Sequence, residues 1–409
     1  MVSRLDVLLA IGLFPGLSCN EIVKKIGKKP VAYASIYKLV KKLKHENLIR
    51  EENGAFFIGD SEKAHRLFWL VNFCFSNNID YNRMVSEKTA AFVRLGLEKG
   101  HISRMPFDNK TVRKISDLLT KHGFAIVESK KPFACKIVHS RFLECLVEQF
   151  LLKPLVACQN LADCLDKESV EKRLEKEFSE YKKLVKKKIT FDEIGFIYSS
   201  LHLEGNTLTL PETERLIKQN IAPTNKPFKE AQEVLDYKKA LDFFIYSNKA
   251  LDLDMILEFH RTAMNSMPYG AGQIRKQNVK IKGNPDFKTP NWHQLPAILD
   301  DFIEKVRQIQ QVKKQSAIQW VDNAAFLHNE FQRIHPFIDG NSRTARAIFS
   351  KILISNGFPL VKIPIGFSEQ YMKLTKLSKK RDDAKFALLI KQITIESIKQ
   401  ARKRIDYGE

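Results

Sequence analysis

The chain has 409 residues, enough for two or three domains, and its 44 % apolar and 28 % charged content is that of an ordinary globular protein. Its net charge of +21 is not ordinary; it favours polyanionic partners, nucleic acid or nucleotide phosphates, with a lysine-rich solvated surface as the plainer reading. No segment offers the roughly 20 uncharged apolar residues of a membrane span, since Glu144, Glu148 and Lys153 interrupt the longest candidate.

The apolar run from Val7 to Phe14 is too short for a signal sequence, carries Asp6 at its edge and leads into a helix start. Cys19, Cys74, Cys135, Cys145, Cys158 and Cys164 form no C-x-x-C pair and show no metal-ligand spacing with histidine, which predicts buried thiols in a reducing cytosol. The expectation is a soluble, cytoplasmic protein.

Residues 1–62 form a distinct first region. A helix over Leu5–Leu13 stops at Pro15-Gly16. Ser18-Cys19-Asn20-Glu21 has capping-box form and opens a short helix that ends at Gly27. A third helix runs from about Ala34 to Glu46, with Ile36, Leu39, Val40 and Leu43 on one face. Leu48-Ile49-Arg50 and Ala55-Phe56-Phe57-Ile58 flank Asn53-Gly54, a two-residue hairpin signal. This order resembles the winged-helix DNA-binding family. Opposite the apolar face, Ser35, Tyr37, Lys38, Lys41, Lys42 and Lys44 are candidate DNA contacts, through the major groove or phosphates. Winged helices that mediate protein contacts alone keep the alternative open.

Residues 63–184 carry no recognisable chemistry. Helices are expected over His65–Phe75 and Thr111–His122, and a strand pair over Phe124–Val127 and Ala134–Val138. Two readings stay open here, a second winged-helix-like unit or a helical linker. Lys167–Lys188 reads as a charged connecting helix with Val170, Leu174, Phe178, Tyr181 and Leu184 at three- to four-residue spacing. From about 185 onward the periodicity is nearly all helical, apart from Val279-Lys280-Ile281 before Gly283-Asn284, which predicts a short β-hairpin.

The stretch that carries chemistry is His335-Pro336-Phe337-Ile338-Asp339-Gly340-Asn341-Ser342-Arg343-Thr344-Ala345-Arg346, set between two amphipathic helices. It combines one base, one carboxylate, a glycine, an amide and two guanidiniums. Backbone amides of a glycine-containing loop at a helix start make an anion site. Arg343 and Arg346, three apart, can both reach a polyphosphate. Asp339 alone is too few ligands for a structural metal but suits a Mg²⁺ that completes its shell with phosphate and water. His335 is the group able to accept a proton near neutral pH. These parts describe attack of a hydroxyl on a metal-bound phosphoryl group.

The whole string resembles the Fic-family signature H-P-F-x-[D/E]-G-N-G-R-x-x-R at every position but one, Ser342 standing where glycine is usual. Upstream, Ser200-Leu201-His202-Leu203-Glu204-Gly205 resembles the family's inhibitory motif, [S/T]-x-x-x-E-[G/N]. Gly272-Gln273-Ile274-Arg275 resembles the segment before a target-binding flap, here about Val279–Pro290. Tyr371, Leu374, Asp383 and Phe386 echo the end of the core.

The resemblance implies a mainly α-helical fold: a Fic-type helical core at 185–400 with a short β-hairpin flap and an inhibitory helix around 193–204, preceded by the winged helix-turn-helix. It implies an autoinhibited protein adenylyltransferase that moves AMP from ATP, with Mg²⁺, to a Ser, Thr or Tyr hydroxyl of a protein, itself included. In that scheme His335 is the general base, Phe337 anchors the loop, and Asp339 binds Mg²⁺. Gly340, Asn341 and Ser342 line the phosphate site, and Arg343 and Arg346 bind the outer phosphates. Glu204, placed by Ser200 and Gly205, pairs with Arg346. Independently, a carboxylate near a helix end requires a compensating cation. Alternatives are removal of AMP through Glu204, or a DNA-binding regulator whose Fic-like domain senses nucleotide. Ser342 adds bulk beside the phosphates and costs energy if its position needs a positive φ.

Overall fold

In the computed structural model, residues 2–26, 33–99, 107–151, 161–185, 192–266, 269–281, 284–312, 314–378 and 380–407 are described. The chain forms two compact units, Met1–Cys158 and Gln159–Glu409, so the 63–184 stretch is divided between them.

The first unit opens with α1 (Arg4–Leu13), α2 (Cys19–Ile26), α3 (Tyr33–His45), β1 (Ile49–Glu52) and β2 (Ala55–Ile58). The capping box before α2 forms: the Ser18 amide donates to Glu21 at 2.8 Å and the Glu21 amide to Ser18 Oγ at 3.4 Å. Gly27 lies outside the described residues. β1 and β2 pair antiparallel around Asn53 and Gly54, whose φ values of 50° and 76° are those a two-residue hairpin needs. Ile36, Val40 and Leu43 of α3 are buried, while Ser35, Tyr37, Lys38, Lys41, Lys42 and Lys44 are exposed. There follow α4 (Glu62–Ser76), α5 (Tyr81–Met84), α6 (Glu87–Lys99), α7 (Asn109–Lys121), the antiparallel pair β3 (Ala125–Lys130) and β4 (Phe133–Ile137), and α8 (Arg141–Leu151). Phe73, Phe124 and Phe142 cluster in this part of the core, Phe73 stacked on Phe142 and Phe124 tilted against both.

The second unit is helical: α9 (Leu161–Cys164), α10 (Lys167–Leu184), α11 (Glu193–His202), α12 (Leu210–Gln219), α13 (Phe228–Tyr246), α14 (Leu253–Ala263), α15 (Leu295–Gln311), α16 (Ala317–Ile334), α17 (Asn341–Ser355), α18 (Ser368–Leu374) and α19 (Asp383–Tyr407). α16 and α17 form its centre. Ala324, Ala325, Leu327, Phe331 and Ile334 of the first, and Ala347, Ile348, Ile352 and Leu353 of the second, are all buried. α10 packs along α19, and its Val170, Leu174, Phe178 and Tyr181 are buried, Phe178 stacking on Phe358, whereas Leu184 is exposed.

Two expectations need correction. Cys164 is exposed, while Cys19, Cys74, Cys135 and Cys145 are buried; Cys158 lies outside the described residues. The hairpin expected over Val279–Pro290 forms no strand among the described residues, Lys282 and Gly283 lying outside them. Side chains tie this segment instead: Thr289 Oγ1 donates to the Val279 carbonyl at 3.0 Å, and Asn284 Nδ2 to the carbonyls of Lys376 and Ser378. Among the described residues no helix is long and apolar enough to cross a membrane.

Candidate active site

The loop between α16 and α17 starts with a left-handed residue that is not glycine. His335, the residue closing α16, has φ 50° and ψ 58°. Such a conformation costs roughly 1–3 kcal/mol and persists only where neighbours over-determine it. The neighbours are present. Arg275, 2 % exposed, donates its backbone amide to the Pro336 carbonyl and its Nε to the His335 carbonyl, both at 2.8 Å. Its remaining nitrogens reach the carbonyls of Gln277 and Pro290. Phe337, 1 % exposed, stacks on His260 with ring centroids 3.6 Å apart. The Asn341 side chain bridges back to the amide and carbonyl of Phe337.

His260 also fixes the next residue. Its Nδ1 accepts from the Gly272 amide at 2.8 Å, so Nε2 carries the proton and donates to the Asp339 carbonyl at 2.8 Å. Burial lowers the His260 pKa to about 4, which keeps this tautomer neutral.

The His335 ring lies 3.3 Å from the Gln332 carbonyl through Nδ1, which leaves Nε2 as the proton acceptor. Burial first, and the charge of Arg275 second, lower its pKa to about 4. The ring is therefore unprotonated at neutral pH. It lines a cavity of about 210 Å³, together with Glu204, Gln332, Asp339, Gly340, Asn341, Ser342 and Arg381, under Val279, Lys280, Ile281 and Phe287. Of the residues expected for catalysis, metal binding, inhibition and nucleotide binding, His335, Asp339, Glu204, Gly340, Asn341 and Ser342 line this cleft, whereas Ser200, Gly205, Arg343 and Arg346 do not.

Gly340 caps α17 with φ 79°. A Cβ there would lie 2.9 Å from His260 Nε2 and 2.8 Å from Met264 Sδ, so only glycine lets the loop sit this close to α14. The first-turn amides of α17 lack helical partners by construction and begin at the cavity wall. Ser342 lies in that first helical turn with no positive φ, so the strain foreseen for a side chain is absent. Its hydroxyl is 3.4 Å from Gln332 Oε1.

The Asp339 side chain is 55 % exposed, with one oxygen near Arg343 at 3.3 Å. Among the described residues no group of three or more His, Cys, Asp or Glu could hold a metal. A lone hard-oxygen carboxylate fits Mg²⁺ only if the ion brings other ligands with it.

The two arginines behave differently from a ready phosphate clamp. Both are buried. Arg343 Nε is buried with no partner among the described residues. Arg346 is engaged through two of its nitrogens: Nε donates to Ser200 Oγ at 2.8 Å, and NH2 to the Ser200 carbonyl at 2.9 Å and to Glu204 Oε1 at 2.8 Å. Burial works against the Arg346 charge, but the Glu204 carboxylate beside it counters this, and its pKa is raised. α11 ends at His202, two residues before the end expected for the inhibitory helix; Glu204 sits in the following turn, which Gly205 closes with φ 98°. Arg346 therefore caps the carbonyl end of α11 and meets its carboxylate at once.

Some residues of the site escape sequence reasoning. His260 lies on the same face of α14 as Ile256 and Ala263, which reads as plain core. Tyr237 is hidden among the apolar residues of α13, and Arg381 in a charged run before α19. Arg275 had a signal in its motif, though not one that disclosed four carbonyl contacts.

The Fic/DOC family model matches residues 250–353. A protein adenylyltransferase Fic from Drosophila grimshawi is 29 % identical over 206 residues, covering 49 % of this chain and 41 % of the relative. The chain thus spans about two-fifths of the length of the curated relatives it matches. Fic-1 from C. elegans, 21 % identical, aligns over 59 % of this chain and 74 % of the solved fragment with a TM-score of 0.51. A Fic domain-containing signaling protein from Bacteroides thetaiotaomicron aligns at 0.50, 21 % identity, over 58 % of this chain and 97 % of its own. The shared feature is the fold.

Proposed function

With a Fic/DOC domain at residues 250–353 as the premise, we propose that the protein is an autoinhibited adenylyltransferase that transfers AMP from ATP to a protein hydroxyl, its own included. The observation that carries this reading is the 2.8 Å pairing of Glu204 with Arg346 beside the cavity that His335 lines.

His335 Nε2 takes the proton of the target Ser, Thr or Tyr hydroxyl. The hydroxyl oxygen forms a bond to the α-phosphorus as the bond to the bridging oxygen breaks, and pyrophosphate leaves. Gly340, Asn341 and Ser342 cradle the phosphate, while Arg343, with its unpartnered Nε, and Arg346 serve the outer phosphates. Asp339 would hold Mg²⁺ delivered with the nucleotide, and that ion would neutralise phosphate charge. While Glu204 occupies Arg346, that cation is withheld from the outer phosphate. A unit-charge pair at about 4 Å is worth up to roughly 4 kcal/mol at an effective dielectric near 20, before desolvation. Half of that holds the competent state to a few per cent.

Glu204→Gly is expected to raise self-labelling from ATP at least severalfold. Equal labelling by a folded, nucleotide-binding mutant and the wild type would overturn inhibition by Glu204. A second reading shares the site: because Glu204 and His335 line one cavity, Glu204 could position water to remove AMP. Loss of AMP release from a pre-labelled protein in Glu204→Gly, without a gain in labelling, would favour it.

For residues 1–62 we propose a winged helix that binds duplex DNA through Ser35, Tyr37, Lys38, Lys41 and Lys42, supported by their exposure on α3. The buried free thiols fit a reducing, cytoplasmic setting.

A further inference from the structure

α13 lies outside both the loop motif and the Ser200–Gly205 motif, yet it supplies a hydroxyl to the contact between them. Tyr237 is fully buried, with its ring packed between Phe196 of α11 and Phe259 of α14. Its hydroxyl is 3.0 Å from Ser200 Oγ and 3.3 Å from the backbone carbonyl of Arg343.

The direction of this chain of hydrogen bonds is determined. A guanidinium only donates, so Arg346 Nε donates to Ser200 Oγ. The Ser200 hydrogen then goes to Tyr237 Oη, and the Tyr237 hydrogen to the Arg343 carbonyl. Every member is satisfied, and burial raises the Tyr237 pKa, so the phenol keeps its proton. Three helices meet in it: α11 through Ser200, α13 through Tyr237 and α17 through Arg343 and Arg346. Glu204 touches Arg346 at the open end, where its side chain is 21 % exposed. The carboxylate can therefore exchange with solvent or phosphate, whereas the tyrosine end cannot.

We infer that Tyr237 is a positioning residue for the inhibited state: through Ser200 it fixes the end of α11 over Arg346, and so sets how strongly Glu204 competes with nucleotide. It touches neither the cavity nor Glu204. Without its hydroxyl, Ser200 Oγ loses its acceptor, the Arg343 carbonyl is left with its helical donor only, and Ser200 is no longer tied to α13 by a hydrogen bond. The inference rests on the proposed inhibition by Glu204.

The test is ATP-dependent labelling of the full chain in wild type, Tyr237→Phe, Glu204→Gly and the double variant, with Tyr237→Phe chosen because it keeps the ring. Tyr237→Phe alone should raise labelling roughly two- to tenfold, the population change that one buried hydrogen bond is worth. In the Glu204→Gly background it should change labelling by less than about twofold, because no inhibition remains to relax. Amide hydrogen exchange over residues 193–204 should quicken in Tyr237→Phe, with residues 345–355 unchanged. If Glu204→Gly activates and Tyr237→Phe does not, the role of Tyr237 is refuted and the inhibition stands. If Tyr237→Phe lowers labelling in both backgrounds, the tyrosine supports the catalytic loop instead. If Glu204→Gly fails to activate, both fall, and unchanged exchange over 193–204 would separately exclude a hold on α11.

Discussion

The loop from His335 to Arg346 and the basic face of α3 are the two places where the sequence points to anionic partners, and the protein builds them in opposite ways. Around the loop, nearly every polar group is buried and spoken for. Arg275 clamps two loop carbonyls, His260 a third, Asn341 ties the loop to itself, and Arg346 spends its donors on Ser200 and Glu204. On α3 the lysines stand in solvent; Lys44 meets Glu51 and Lys41 lies over the Tyr37 ring. Chemistry on a phosphoryl group needs positions held to fractions of an ångström, which buried networks supply. Attraction to a charged polymer needs only charge density and tolerates mobile side chains.

The largest expected effect lies in the first region. His335→Ala should lower AMP transfer roughly 10²- to 10⁴-fold, the usual loss of a general base, with ATP binding measured by calorimetry largely retained. Unchanged transfer would strip the loop of its catalytic reading.

Acid should next distinguish the two regions. His335 and His260, with pKa values lowered to about 4, and His328, lowered to about 3, all chiefly by burial, are neutral in the folded second unit. Unfolded, each titrates near about 6.5. Their lowered values contribute stability that is fully present above the unfolded pKa and is lost as pH falls from about 6.5 towards about 4 for His335 and His260 and about 3 for His328. Melting of the full chain should drop by at least several degrees across that window, given roughly 2–4 °C per kcal/mol in domains of this size. A flat profile would mean the histidines are not buried neutral.

The smallest effect is on α3. Replacing Lys38, Lys41 and Lys42 by alanine should weaken duplex-DNA binding and flatten its salt dependence by about one unit of log–log slope per lost phosphate contact. Absence of binding by the wild type at low salt would leave α3 as a protein-contact surface.

Legibility follows the same division. The loop was readable because its chemistry is contiguous: His335, Asp339, Gly340 and both arginines fall within one turn-and-helix span, and Ser200 and Glu204 are four apart. The hairpin at Asn53-Gly54 and the Ser18 capping box were readable because turn and cap geometry are local. His260 and Tyr237 were not, since each joins the site across the tertiary fold from an apolar helix face that gives no sequence signal. The Val279–Pro290 stretch misled because its β-branched residues resemble a strand, while the Thr289 and Asn284 side chains and the Arg275 clamp hold it without a ladder. Ser342 looked strained only because glycine is expected there; the helix begins one residue earlier and accepts it.

The central claim, that Glu204 withholds Arg346 from nucleotide until displaced and that His335 then drives AMP transfer, is tested most directly by double-label incorporation. The full chain is incubated with Mg²⁺ and either α-labelled or γ-labelled ATP, as wild type, Glu204→Gly, and Glu204→Gly with His335→Ala. The account predicts α-label on the protein, weak in wild type and at least severalfold stronger in Glu204→Gly, no γ-label in any of them, and loss of α-label in the double variant. Retention of γ-label would make the reaction a phosphoryl rather than an AMP transfer, and α-label surviving in the double variant would contradict the base.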